Sequence, residues 1–223
     1  MSKRAERPAR IPSRLAGCTV GRLPRWLWLG LGLGLMFVLD HAVLNAVAPL
    51  QGSRLIAIVT ATIRWIGTDR FEFAALAGTA LVGVVVSRRL TWAGLWGMAA
   101  LALSDALALA IKVIVHRPRP WVTADLPQRW PDYRHLDAFH SFPSEDSASA
   151  FAIAATVGCF FPRARVPLLL VAALVAAERV LLYAHHPSDV WAGAILGLAV
   201  SELLALVRNR GRSGAAARAE RVQ

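Results

Sequence analysis

Cysteine is nearly missing from this chain. The 223 residues hold two, Cys18 in a basic stretch and Cys159 in an apolar one, a placement that suggests neither a bridge nor a metal site. Lysine is as scarce: Lys3 and Lys112 are the only two among 25 basic residues, an arginine bias that reads as the mark of a GC-rich bacterial genome. Acidic residues number 14, so the formal net charge is +11. Nucleic acid selects an excess of that sign. Here, however, the basic residues gather between hydrophobic segments, so nucleic acid is not an expected partner. No internal repeat is visible either. What the chain does have is apolar length. It is 56% hydrophobic with a mean hydropathy of +0.48, and it contains several apolar runs of about 20 residues, the length that spans a hydrocarbon layer.

Residues 1–25, with Arg4, Arg7, Arg10, Arg14 and Arg22 among them, read as a basic tail. A first span is expected at 26–50. Ala46-Val47-Ala48 resembles a signal-peptide cleavage site, but the apolar stretch before it is too long and Pro49 follows directly, so the span should be retained. Residues 54–65 alternate basic and apolar types at helical spacing, as in a helix lying on a membrane surface. Further spans are expected at 71–87, 92–115, 143–161, 166–183 and 188–207. The polar, proline- and aromatic-rich segment 117–142 is long enough to be a functional loop. The expected fold class is all-α: an integral membrane bundle of six transmembrane helices over 26–208, with basic tails at 1–25 and 209–223.

Six spans put both termini on one side. The two tails, the Arg88-Arg89 turn and the Arg163/Arg165 turn hold 16 of the 25 basic residues. By the positive-inside rule that side is cytoplasmic, and loops 50–70, 117–142 and 184–187 face the periplasm from the inner membrane of a bacterium.

Three polar clusters interrupt the hydrophobic pattern at that outer face. Lys112 ends the third span and is followed by Arg117-Pro118-Arg119-Pro120. Ser144-Glu145-Asp146 opens the fourth. Arg179 lies near the end of the fifth, with His185, His186, Pro187, Ser188 and Asp189 at the turn into the sixth. An ionisable residue at membrane depth costs about 2.5–3.5 kcal/mol on insertion scales, so its presence calls for a purpose. Guanidinium groups match phosphate oxygens two at a time. A helix start such as Ser144 adds free backbone N–H groups and the positive end of a dipole. A histidine held by a carboxylate can attack phosphorus, and His185 and Asp189, four residues apart around Pro187, suit such a pair.

With these residues the sequence resembles the type 2 phosphatidic acid phosphatase (lipid phosphate phosphatase) superfamily, bacterial membrane branch. Lys112 through Pro120 fits the first signature, K-x6-R-P. Ser144, within Ser141-Phe142-Pro143-Ser144, fits the start of the second, P-S-G-H. Arg179, His185 and Asp189 fit the third, S-R-x5-H-x3-D, with Glu178 in place of the serine. The resemblance covers roughly residues 70–207. It implies that His185 is the nucleophile forming a phosphohistidine and that Asp189 orients it. It also implies that Lys112, Arg119 and Arg179 hold the phosphoryl oxygens, with Ser144 and neighbouring amides completing the cradle. The positive side chains would replace the charge stabilisation that a metal often gives, so neither metal nor cofactor is expected. The implied partners are the lipid bilayer and a membrane lipid phosphate or polyprenyl pyrophosphate.

The second signature ends in Glu145-Asp146 where the family has Gly-His, and the family's histidine protonates the leaving alkoxide. Three readings stay open. Asp146 replaces that acid, with activity favoured at low pH, since a carboxyl group near its reference pKa of about 3.9 is ionised at neutral pH. Alternatively, the leaving group needs little help, as in a pyrophosphate, or His140 or His186 donates. Finally, the site binds without turning over. A phosphotransferase using the same phosphohistidine is a further alternative. Locally, Ser144-Glu145-Asp146 is also what any helix start favours. Asp40-His41 and Asp105 read as bundle-facing polar contacts, and Asp105, two turns from Lys112 on one face, as a structural ion-pair partner. Trp121, Trp130 and Tyr133 read as an interfacial belt, and His135, His140 and His186 as solvated.

Overall fold

The computed structural model describes residues 23–51, 53–122 and 137–220. The expectations for segment 1–22 and for Trp130, Tyr133 and His135 fall outside the described residues. Within them the chain forms seven α-helices and no strand: α1 Leu23–Val47, α2 Arg54–Ile66, α3 Asp69–Val86, α4 Arg88–Val115, α5 Glu145–Phe160, α6 Arg165–Leu181 and α7 Pro187–Glu220. The all-α class is therefore observed.

Local chemistry sets the helix ends. Ser87 caps α4, its hydroxyl accepting from the Leu90 amide, so Arg88 and Arg89 form the first helical turn instead of a separate loop. Ser144 caps α5 in the same way through Ser147, and Glu145 and Asp146 sit in the first turn, where the helix dipole favours negative charge. Pro187 starts α7, a position where its missing N–H costs nothing. The expected tail after residue 208 is instead a continuation of α7 to Glu220. Alanine and arginine, which dominate that stretch, are both strong helix formers.

Three helices are long and apolar enough to cross a membrane: Arg25–Leu50, Arg88–Val115 and Pro187–Gly211. The 18-residue α3 opens with the charged Asp69, Arg70 and Glu72, while α5 and α6 have 16 and 17 residues. At 1.5 Å per residue the latter two reach about 24–26 Å, less than a hydrocarbon core of roughly 30 Å. Side-chain placement is nonetheless inverted relative to a protein in water. Val38, Leu81, Val85, Ile114 and Val166 lie exposed, whereas Ser104, Ser144, Ser147, Ser149, Ala148 and Ala152 are fully buried. Small and hydroxyl-bearing residues inside with branched aliphatics outside is the pattern of helices packed within an apolar solvent.

The central helix is α5, packed on α4, α6 and α7. Its closest approach is to α7, at Gly193 and Gly197. A Cβ at these positions would stand 2.4 Å from the Ser144 carbonyl oxygen and 2.3 Å from that of Ala148. This four-residue glycine spacing brings the two backbones together and so fixes the start of α5 beside the start of α7. Across the bundle, α1 leans on α7, with Trp191 Nε1 donating to the Leu29 carbonyl at 3.0 Å. Cys159 is disulfide-bonded, not the isolated thiol that its apolar surroundings suggested.

Candidate active site

The end of α4, the starts of α5 and α7, and the turn after α6 converge at one end of the bundle. The turn 182–186 is tight. Tyr183 takes a left-handed φ of 56°, and the amides of Ala184 and His185 both donate to the Arg179 carbonyl, at 3.0 and 3.2 Å. This curl carries His185 inward, where it is 1% exposed.

His185 Nδ1 lies 2.7 Å from the Ser141 carbonyl oxygen. A carbonyl only accepts, so Nδ1 carries the proton and Nε2 keeps its lone pair. Nε2 sits 3.4 Å from Arg119 Nη1. Burial first, and the neighbouring Arg119 guanidinium second, push the imidazole pKa down to about 3, so the ring is neutral at physiological pH. Arg119 is itself held by the carbonyls of Asp137 and Ala184, at 2.6 and 3.2 Å.

Asp189 does not hold His185 directly. Its Oδ2 is 3.9 Å from Nδ1, beyond hydrogen-bonding range. The expected His–Asp pair is thus replaced by a relay through Ser141, because the carboxylate is already occupied. Arg117 Nη1 and Ser141 Oγ each donate to it at 2.5 Å. The His186 amide adds a bond at 2.8 Å, with its ring Nδ1 3.1 Å away. Asp189 therefore fixes Ser141, and the Ser141 carbonyl fixes the histidine.

Arg117 and Asp40 complete this half, and their roles were not evident in the sequence. Arg117 Nη2 bonds Asp40 Oδ2 at 2.7 Å, and Asp40 also receives the Ser188 amide and hydroxyl, at 2.9 and 2.6 Å. At 2% exposure Asp40 is buried, so it is a structural anchor from α1, as its bundle-facing position suggested, but one tied to His185 through Asp189 and Ser141. A lone carboxylate in an apolar run was the available signal; its partner was not.

The remaining cations lie on the other side. Lys112 Nζ pairs with Glu145 Oε2. Arg179 donates through Nε to Glu178 Oε2 at 2.5 Å and through Nη1 to Asp146 Oδ2 at 3.1 Å. Glu178, which replaces the serine of the third signature, is fully buried and serves as a second carboxylate for Arg179. Ser144 is also buried. Its amide donates to the Asp189 carbonyl at 3.0 Å, and its hydroxyl is engaged in the cap. His140 and His186 are half-buried, not solvated. Burial, then the charge of Lys112, lowers the His140 pKa.

Asp146 also lines an open cleft of about 780 Å³ together with Trp65, Thr68, Asp69, Arg70 and Phe71. The rings of Trp65 and Phe71 meet at 4.6 Å there. Trp121, which follows Arg119 beyond the end of α4, is 50% exposed.

The arrangement is an inward-facing neutral histidine, flanked by arginines and a lysine, at the surface end of an apolar helical bundle. It defines a membrane protein built to handle a phosphate. Comparison with known proteins narrows the class. A family model described as the PAP2 superfamily matches residues 93–212, and the chain belongs to that superfamily of membrane phosphatases, as the three signatures indicated. It is 34% identical over 118 residues to a lipid A 1-phosphatase of Rhizobium johnstonii, covering 52% of this chain and 48% of that protein. A lipid A 1-phosphatase of Rhizobium etli is also 34% identical, over 121 residues, covering 54% of this chain and 52% of the relative. The chain thus spans about half the length of these relatives. The fold is similar to that of Aquifex aeolicus LpxE, with a TM-score of 0.54 and 24% identity over 77% of this chain and 93% of that one. It is also similar to a PAP2-type phosphatidylglycerolphosphate phosphatase of Bacillus subtilis, with a TM-score of 0.61 and 22% identity over 83% and 96%.

Proposed function

We propose that this chain is a metal-independent lipid phosphatase that removes a phosphate from a membrane lipid through a phosphohistidine on His185. The observation that carries the reading is the tautomer. With Nδ1 donated to the Ser141 carbonyl, the lone pair of buried Nε2 is directed to the Arg119 side of the site, where a phosphorus atom would be attacked. Lys112, Arg119 and Arg179 take the phosphoryl oxygens, and the amides at the start of α5 after Ser144 add dipolar stabilisation. Asp189, working through Ser141, holds the ring as positive charge develops. Asp146 stands beside the leaving oxygen as the acid. The bundle carries six transmembrane passes, with α3, α5 and α6 completing the three longer helices. The site opens to the periplasm, and both termini lie in the cytoplasm of a bacterial inner membrane.

The second signature favours a particular kind of substrate. Glu145 and Asp146 engage Lys112 and Arg179, and a carboxyl group paired with a cation is a poor proton donor. A leaving group of low basicity suits such a site: a phosphate, as in a polyprenyl pyrophosphate, or the hydroxyl of an anomeric carbon, as in a glycolipid 1-phosphate. The same pairing supports a second reading, a lipid-phosphate binder with weakened turnover. The test is phosphate release from a glycolipid 1-phosphate, a polyprenyl pyrophosphate and phosphatidate, each in detergent micelles. Release from the first two and little from phosphatidate is expected. Binding of all three without release between about pH 4 and 8, around the carboxyl and histidine reference values, supports the binder. A phosphorylated acceptor in place of free phosphate identifies a phosphotransferase.

A further inference from the structure

We propose that the open cleft at the α2–α3 corner is a specificity subsite for the sugar ring of a glycolipid phosphate, with Trp65 and Phe71 as its stacking platform. The inference rests on the phosphatase reading above, and it assigns the part of the substrate that lies beyond the phosphate.

The corner is built to hold these two rings in place. Gly67, between α2 and α3, packs so closely on α6 that a Cβ there would stand 2.8 Å from Val175 Cγ1. Val175 lies one helical turn before Arg179, so the corner is docked beside the phosphate cradle. Thr68 Oγ1 then donates to the Trp65 carbonyl at 2.9 Å, tying the end of α2 to the start of α3. The Trp65 and Phe71 rings meet with centroids 4.6 Å apart, and Trp65 remains 65% exposed. The cleft they line, about 780 Å³, is of the size that takes a small-molecule group.

Its position and charge select the occupant. Asp146 belongs to both sites: it lines the cleft and accepts from Arg179 Nη1 at 3.1 Å. A substrate whose phosphate lies on Arg179 and His185 therefore extends its leaving-group side past Asp146 into the cleft. Asp69, Arg70 and Asp146 line it together with the rings. An acyl chain there would strip water from these charges without replacing its hydrogen bonds. A second anionic group would meet carboxylates that outnumber the one guanidinium. A neutral pyranose suits both kinds of wall. Its C–H face lies against the negative faces of the aromatic rings, and its hydroxyls donate to Asp69 and accept from Arg70.

The experiment compares three probes by calorimetry: inorganic phosphate, glucose 1-phosphate and hexyl phosphate. The full-length chain carries His185→Ala, which prevents turnover, and is held in a detergent without a sugar headgroup. Glucose 1-phosphate should bind about tenfold more tightly than either of the others, the order expected for one aromatic contact. Trp65→Ala and Phe71→Ala should each abolish that preference without weakening inorganic phosphate, and Trp65→Phe should keep most of it. Trp92→Ala, at the opposite end of α4 from Lys112, should change nothing. In the chain with His185 intact, Trp65→Ala should raise KM for a glycolipid 1-phosphate about tenfold at unchanged kcat, as loss of uniform binding does, and leave KM for a polyprenyl pyrophosphate as it was. Equal affinity for inorganic phosphate and glucose 1-phosphate overturns the subsite while leaving the cradle intact. Tightest binding of hexyl phosphate, or equal KM shifts for both lipids, makes the cleft an acyl-chain groove and overturns it too. Binding of none of the three probes overturns the cradle itself, and the subsite with it.

Discussion

The two halves of the site treat charge in opposite ways. On the His185 side the carboxylates are buried, Arg117 is half-buried, and the charges are internally satisfied. Asp40, Arg117, Ser188, Asp189 and Ser141 form a closed chain of bonds between 2.5 and 2.9 Å that ends on His185. On the opposite side the cations are those a phosphate needs, and carboxylates of the chain itself hold them: Glu145 on Lys112, Asp146 and Glu178 on Arg179. Glu145 and Asp146 retain about 32% and 26% side-chain exposure, against 0–3% for Asp189 and Asp40. The first half is a fixed scaffold. The second is a more open arrangement, and in the proposed reaction a substrate phosphate competes with its two half-exposed carboxylates, Glu145 and Asp146, at a cost that limits affinity.

The sharpest break in the comparison comes from the proposed nucleophile. His185→Ala should reduce phosphate release by about three to six orders of magnitude, as nucleophile deletions do, while leaving phosphate binding measurable by calorimetry. Retention of full activity would show that another group attacks. Next is the scaffold that supports it. Asp40→Asn or Arg117→Leu removes one member of a buried ion pair, which costs about 3–5 kcal/mol. A large fall in Tm together with lost kcat is expected, and a variant with wild-type Tm and kcat would make the network ornamental.

On the more open side the effect should have the opposite sign. Asp146→His supplies a donor that titrates near neutrality and releases Arg179, so turnover of an alkyl phosphate should rise by about 10²-fold, the lower range for general acid catalysis. A fall would mean that the carboxylate has its own part in the reaction.

The smallest effect is on pH. His185 binds a proton near pH 6.5 when unfolded but only near 3 when folded. Between these values the unfolded chain holds more protons, so stability falls as pH drops through that window and is constant above it. The Tm should decline from pH 7 to about pH 4.5, and His185→Gln should remove part of that decline. For the same reason the acid limb of kcat/KM should not fall at the usual histidine pKa.

Much of this was legible in the sequence. The apolar runs gave the helices and the all-α class, since a stretch of that composition has few other ways to satisfy its backbone. The signature spacing named Lys112, Arg119, Ser144, Arg179, His185 and Asp189, which the fold brings to one end of the bundle. Helix ends were less legible. Arg88-Arg89 joined α4 because Ser87 caps it, and the Arg–Ala segment after Val207 continued α7, both being matters of local hydrogen bonding and propensity that hydropathy does not register.

Hydropathy and motif order, then, determined the helices and the set of residues that meet. Tertiary packing decided which of them touch. The glycine contact of α7 with α5 sets the Ser144 amide on the Asp189 carbonyl. The docking of α1 brings Asp40 to Arg117 and Ser188, across 77 and 148 residues of sequence. Those contacts saturate Asp189 and hand His185 to the Ser141 carbonyl. No pattern along the chain carries that outcome, because a carboxylate's choice among several donors depends on distances that only the folded backbone sets.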